Sequence, residues 1–145
     1  MNGETIKLTP NPSFDEIDYC FESYFKQLKL LVFRAQWGEG NNYAIIDFTN
    51  GKKTYIIGRP FFSPDKKFMI VINCDIQAQY SNNGFEFYEW TNRDFKLIWS
   101  YDPKSWGPVE LKWLDNTTII SRNQSIEGGK LRSTYSKITV KRKAK

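Results

Sequence analysis

Few side chains in this sequence are equipped for chemistry. It contains no histidine, so the commonest general base and imidazole metal ligation are both missing, and most hydrolase templates fail with them. Carboxylates are left. Glu86 and Glu89 lie close together in an aromatic-rich run, but residues three apart on a strand project from opposite faces. Their ordinary role is as exposed strand charges that discourage edge pairing. Cys20 and Cys74 lack Cys-x-x-Cys spacing, so a thiolate metal site is not expected. Neither has a neighbouring base or an electropositive run that would activate a thiol. They read as small buried hydrophobes or as one disulfide. Gly38-Glu39-Gly40 is followed by no Gly-Lys-Ser/Thr and is a flexible loop, not a phosphate cradle. The chain therefore reads as a non-enzyme, with no catalytic residues, no metal and no cofactor expected.

What remains is binding. The segment Trp99-Ser100-Tyr101-Asp102-Pro103-Lys104-Ser105-Trp106-Gly107-Pro108 puts three large rings and two prolines into a connector, and Trp37 borders the glycine loop. Tyr and Trp make good interface anchors because they contribute area with little entropy loss. The structural alternative is that Trp99 ends a strand and Trp106 folds over a sheet end. One functional reading is a protein-binding patch formed by Trp37, by Tyr80, Asn82 and Asn83, and by Tyr101, Asp102 and Trp106, with a neutralising, toxin-immunity type of partner as one concrete version. A second is carbohydrate or small-ligand binding, with Trp37, Tyr101 and Trp106 stacking on sugar faces and Asn82, Asn83 and Asp102 supplying hydrogen bonds. A third and weaker reading is nucleic-acid binding by the basic carboxy-terminal end.

The elements that would position these residues are strands. The run from Gly84 to Trp99 reads as a complete β-hairpin with a Thr91-Asn92 turn, and Asn42 to Ile57 has the same layout, turning at Asn50-Gly51. Both turn residues there tolerate the left-handed backbone that matches strand twist. Leu28 to Trp37 reads as a strand ending in a polar loop at residues 38–42. Ser63-Pro64-Asp65-Lys66 between two apolar runs is a turn in which Pro64 presets φ and Asp65 accepts backbone hydrogen bonds. Fifty residues on, Asp115 falls where Asp65 does and Asn123 where Asn73 does. Strands are expected at 28–36, 43–48 and 54–57, then at 61–63, 68–74, 84–90 and 95–101, and finally at 109–113, 118–123 and 134–141. The segment from Ser13 carries a capping box with Glu16, and Phe14, Ile17, Phe21, Tyr24 and Leu28 recur at helical spacing. It reads as a short helix or helical turn, against the competing alternation of Ile17, Tyr19 and Phe21.

A period of roughly 40 to 50 residues with up to four strands in each is the pattern of propeller blades. The turn at Phe62-Ser63-Pro64-Asp65-Lys66-Lys67-Phe68 resembles the Ser-Pro-Asp-Gly-Lys turn of WD40-like and TolB-like β-propellers, with Lys66 where those blades carry glycine and no Trp-Asp dipeptide closing a blade. The resemblance implies an all-β fold of about three propeller-like, antiparallel meanders (units near 13–58, 59–103 and 104–141). They would form an open or partial propeller, or else a sandwich or barrel, whose blades present binding loops.

At 145 residues, with 17% aromatics, the chain is the size of one domain rich in residues that suit pleated surfaces. Its net charge of +5 is concentrated at Lys141, Arg142, Lys143 and Lys145, and the remainder holds seventeen basic and sixteen acidic residues. Residues 141–145 read as a flexible, solvated tail. No run approaches the roughly 18 apolar residues of a membrane span, and no signal peptide is visible at the start. The chain is expected to be soluble, in a compartment the sequence leaves open, and to meet a protein partner in preference to nucleic acid.

Overall fold

The computed structural model describes residues 17–38 and 40–141. Among them there is no helix, and hence none long and apolar enough to cross a membrane. Eleven strands run β1 Asp18–Phe25, β2 Leu30–Trp37, β3 Gly40–Asp47, β4 Lys53–Ile56, β5 Arg59–Phe62, β6 Phe68–Asn73, β7 Gly84–Thr91, β8 Asp94–Tyr101, β9 Trp106–Trp113, β10 Thr118–Glu127 and β11 Lys130–Thr139. They form three antiparallel sheets, ordered β1-β2-β3-β4, β5-β6-β7-β8 and β11-β10-β9, none closed into a barrel. Each sheet is a meander of consecutive strands. The chain divides into two compact units, one ending at Ile56 and the other beginning at Ile57.

In the first unit the segment expected to be helical is strand β1, as far as it is described; Ser13 and Glu16 lie outside the described residues. A β-bulge explains the misleading periodicity. Register shifts between Phe21 and Ser23, so that Phe21 pairs with Phe33 and Tyr24 with Leu31. Phe33 and Leu31 share a face of β2, and the extra residue Glu22 therefore puts Phe21 and Tyr24, three apart, on one face of the sheet. That spacing mimics a helix turn. Phe21 meets Phe33 edge-on at 5.7 Å between ring centroids. The expected polar loop after Trp37 is also shorter than its composition suggests, because Gly40 already pairs with Trp37. Between β3 and β4 the buried Asp47 carboxylate accepts hydrogen bonds from the Thr49 amide at 2.8 Å and its hydroxyl at 2.6 Å. Gly51 takes φ 72° in the same turn while Asn50 does not adopt a positive φ, so the glycine alone takes the left-handed backbone that either residue of Asn50-Gly51 tolerates.

In the second unit two sheets share a core. Phe68, Ile70 and Ile72 of β6 and Phe85 and Phe87 of β7 pack with Leu111 of β9 and Ile119 of β10. Met69 and Val71 point to the other face of β6 and are also buried, which is why this strand is apolar at every position and not only at alternate ones. Rings interlock at the seam, with Phe68 stacked on Phe87 at 5.3 Å and Phe87 facing Trp113 at 6.4 Å. The Trp113 indole donates to the Phe61 carbonyl at 3.1 Å.

The Ser-Pro-Asp-Lys turn joins β5 to β6 as its composition predicts. Ser63 is fully buried, its hydroxyl bonded to Asp65 at 2.8 Å and accepting from the Phe68 amide at 3.0 Å. Lys66 adopts φ 60°, the conformation glycine reaches without steric cost. The corresponding turn between β9 and β10 is built on Asp115, which accepts from the Thr117 and Thr118 amides at 2.7 and 2.8 Å. The two turns touch where the Asp65 amide donates to the Asn116 side chain at 2.9 Å. The hairpin β10–β11 is longer than the expected strands 118–123 and 134–141, because Gly128 and Gly129, at φ 56° and 75°, close a tight turn between them.

Two substitutions in the β5–β6 turn test this account with opposite signs. Ser63→Ala removes the acceptor of a buried amide and should lower stability by about 1 to 3 kcal/mol. Lys66→Gly relieves a left-handed lysine and should raise it by up to about 1 kcal/mol after the greater chain entropy of glycine is counted. Urea unfolding of the two variants beside the parent chain measures both.

Candidate functional site

Most of the expected binding residues gather at one end of the second unit, where the 74–83 loop between β6 and β7 meets the 102–105 connector between β8 and β9. The loop is shaped by Asp75, whose carboxylate oxygens accept from the amides of Gln79 at 3.0 Å and Ser81 at 2.7 Å. At its far end Asn73 donates to the Asn82 carbonyl at 2.6 Å. Asn83 then joins loop to connector. Its amide nitrogen donates to the Pro103 carbonyl at 2.5 Å and the Trp106 carbonyl at 2.8 Å, while its oxygen accepts from the Asp75 amide at 3.2 Å. Gly107 lies underneath, and a side chain there would collide with the Asn83 carboxamide and the Cys74 sulfur.

Two adjoining polar clefts open around this brace. One, of about 340 Å3, is lined by Asp75, Ser81, Asn82, Asp102 and Lys104 among others. The second, of about 250 Å3, is lined by Ile57, Asn82, Phe85, Glu86, Ser100, Tyr101 and Asp102, with Asn83 shared between the two. Lys104 and Asp102 form an ion pair at the rim of the larger cleft.

The structure thus brings Asn82, Asn83, Tyr101 and Asp102 together, with differing roles. Asn82 and Asp102 are exposed. Tyr101 is 47% exposed, its ring set between Trp99 at 5.9 Å and Trp106 at 6.1 Å. The Asn83 carboxamide is engaged within the fold at both ends. Trp106 is half-buried and packs against Phe85 at 6.0 Å, at the margin of the shared core. Tyr80 is 63% exposed on the loop and lines neither cleft. Trp37 belongs to the first unit, where its indole lies against Gly40.

Glu86 is the residue that sequence reasoning set aside. It was weighed only against Glu89, and the two do face opposite sides: in the β7–β8 register Glu86 opposes Ser100 and Glu89 opposes Lys96. Glu86 instead accepts the Tyr88 hydroxyl at 2.8 Å and faces the Ile57 amide at 3.4 Å. Burial, then the Glu86 hydrogen bond and charge, push the Tyr88 phenol well above its ordinary pKa, so it stays protonated and donating. Only strand register and loop closure bring Glu86 to the same cleft as Asp102, and no local sequence signal announces it.

Both cysteines are free thiols, Cys20 exposed on β1 and Cys74 half-buried, where burial chiefly raises its pKa and leaves it less nucleophilic. Among the described residues no group of three or more His, Cys, Asp or Glu side chains is placed to hold a metal ion. No protein-family model, curated protein or solved structure matches the chain.

The brace is testable by contrast with its neighbour. Asn83→Ala leaves two carbonyls and an amide without their partner and should cost about 2 to 4 kcal/mol, while Asn82→Ala should stay within about 0.5 kcal/mol of the parent. Chemical denaturation gives both values. Faster amide exchange confined to 102–107 in Asn83→Ala would locate the effect.

Proposed function

We propose that this chain is a non-catalytic binding module that recognises another protein through strand β8 and the loop end beside it. The observation that carries this reading is the exposure of β8. It is the edge of its sheet, and Leu97, Ile98, Trp99 and Tyr101 are 49, 50, 46 and 47% exposed. Single exposed apolar residues are ordinary, whereas a contiguous set along an open strand is a feature of interaction surfaces. Edge strands are commonly guarded by charge, and β8 carries Asp94 and Lys96 at one end only. Two of the four are aromatic, the residue type that anchors interfaces with little loss of side-chain entropy. Tyr80 and the rim formed by Tyr101 and Asp102 extend the same surface, and the three successive meanders support reading the scaffold as blade-like repeats that hold loops and edges for recognition.

The test is affinity capture by the full-length chain from its native source, followed by reconstitution with the purified partner. Trp99→Ala should weaken the reconstituted complex by about tenfold or more, as loss of an interface anchor does, and Leu97→Lys should abolish it. Tyr135→Ala, on β11, should bind like the parent. Equal affinity for all four proteins would overturn the assignment of β8, and measured turnover of any substrate would overturn the non-catalytic reading.

A further inference from the structure

The geometry points to a second recognition surface, independent of β8: the outward face of the β9–β10–β11 sheet, centred on Tyr135, binds a single strand of nucleic acid. Charge is the first observation. Nine basic and three acidic residues follow Ser105, against twelve and thirteen up to it, so the whole positive excess of the chain falls on this sheet and the residues after it. Six of the nine lie at or before Lys141, within the described residues, and the excess therefore does not belong to the chain end alone.

Strand register places these charges. Ile119, Ser121 and Asn123 of β10 are buried, and Ile120, Arg122 and Gln124 alternate with them toward solvent. Across the sheet Ile120 is opposed by Lys112 of β9 and Lys137 of β11, Arg122 by Glu110 and Tyr135, and Gln124 by Ser133. Directly opposed side chains share a face and stand about 5 Å apart, so two lysines, an arginine and a tyrosine form one surface. Tyr135 is 73% exposed, the highest value of any aromatic side chain among the described residues. Glu110 is the one acidic group on this face of the described strands, and Arg122 neutralises it through two hydrogen bonds, at 3.1 and 2.9 Å. Lys112 and Lys137 are exposed and form no ion pair among the described residues.

This combination selects one kind of polyanion. A phosphate backbone supplies the negative charge that the two lysines lack. The Tyr135 ring beside them is a stacking platform, open to an unpaired base but not to one held inside a duplex. Next along the same face, Gln124 and Ser133 present an amide and a hydroxyl that can hydrogen-bond base edges. An acidic peptide would satisfy the lysines and leave the ring unmatched. An anionic bilayer would satisfy them too, but it would have to cover Gln124 and Ser133, which separate Tyr135 from the apolar hairpin tip at Ile126 and Leu131.

The experiment is fluorescence anisotropy of labelled oligo(dT) and oligo(U) titrated with the full chain, beside a DNA duplex, phosphatidylserine vesicles and polyglutamate. Saturable binding of a single strand, tighter than of the duplex, is expected, with affinity falling about tenfold between about 50 and 200 mM salt. Tyr135→Ala should weaken it about tenfold and Tyr135→Phe should bind like the parent, since the ring and not the hydroxyl does the stacking. Lys112→Gln combined with Lys137→Gln should weaken binding and flatten its logarithmic salt dependence by roughly 0.7 per lysine. These side chains are exposed, so the variants keep the fold. Trp99→Ala should bind the strand like the parent, which separates this surface from β8. If only Arg142→Gln, Lys143→Gln and Lys145→Gln together abolish binding, while the Tyr135 and lysine variants bind normally, the chain end is the site and the proposal falls. Equal affinity for the duplex would also overturn it, as would binding of vesicles or polyglutamate but of no oligonucleotide.

Discussion

The second unit depends on one apolar contact, the face of β6 and β7 laid against β9 and β10. Phe68, Ile70, Ile72, Phe85 and Phe87 come from one sheet, and Leu111 and Ile119 from the other. Each large apolar side chain fully removed from water is worth roughly 1.5 to 3 kcal/mol, so this seam outweighs any single hydrogen bond in the turns around it. It also fixes register. Strand side chains alternate with period two, and a one-residue slip of β6 would exchange Ile70 for Met69 and Val71 across the seam. Since β7 pairs with β6 and β8 with β7, the positions of Glu86, Ser100 and Tyr101 follow from that packing.

From the seam to the clefts the chain of cause runs through close backbone approach. Gly107 at the start of β9 lets Cys74 and Asn83 come within contact of the main chain, and Asn83 converts that proximity into three hydrogen bonds spanning loop and connector. Half-buried carbonyls at Pro103 and Trp106 would otherwise lack partners, and such groups are costly to leave unsatisfied. The loop end is thus preorganised by groups that are themselves unavailable to a ligand. The exposed residues around them, Asn82, Tyr101 and Asp102, are available because they carry none of that structural duty.

Much of this was legible in the sequence wherever pattern and turn chemistry agree. The Asn50-Gly51 and Ser63-Pro64-Asp65 turns locate two hairpins and the apolar run of β6 one buried strand within a few residues, since burial on one or both faces writes itself into residue type. Strand β1 was not legible, because the bulge at Glu22 shifts its parity and leaves an apparent helical spacing. The hairpin through Gly128-Gly129 was hidden for a different reason. Strand β11 is exposed along most of its length, and without a buried face its Ser, Thr and Lys residues follow no apolar alternation. At the site, residue types singled out aromatics and amides but could not separate Asn82, which is exposed and lines the clefts, from the bracing Asn83. Glu86 was invisible as a cleft residue because its neighbour there, Asp102, is sixteen positions away in sequence.

The same register bears on the recognition proposed for β8. Pairing with β7 shifts between Phe87 and Tyr88, leaving Ile98 as an extra residue on the edge strand. A bulge of this kind bends the strand and interrupts the regular row of backbone donors and acceptors that indiscriminate strand addition requires. It leaves the side chains of Leu97, Ile98 and Trp99 exposed all the same. An edge with broken backbone pairing and intact apolar side chains favours a partner that supplies pockets for those side chains over one that merely adds another strand. On the proposed reading, selectivity at β8 rests on shape, which distinguishes recognition from aggregation at an open sheet edge.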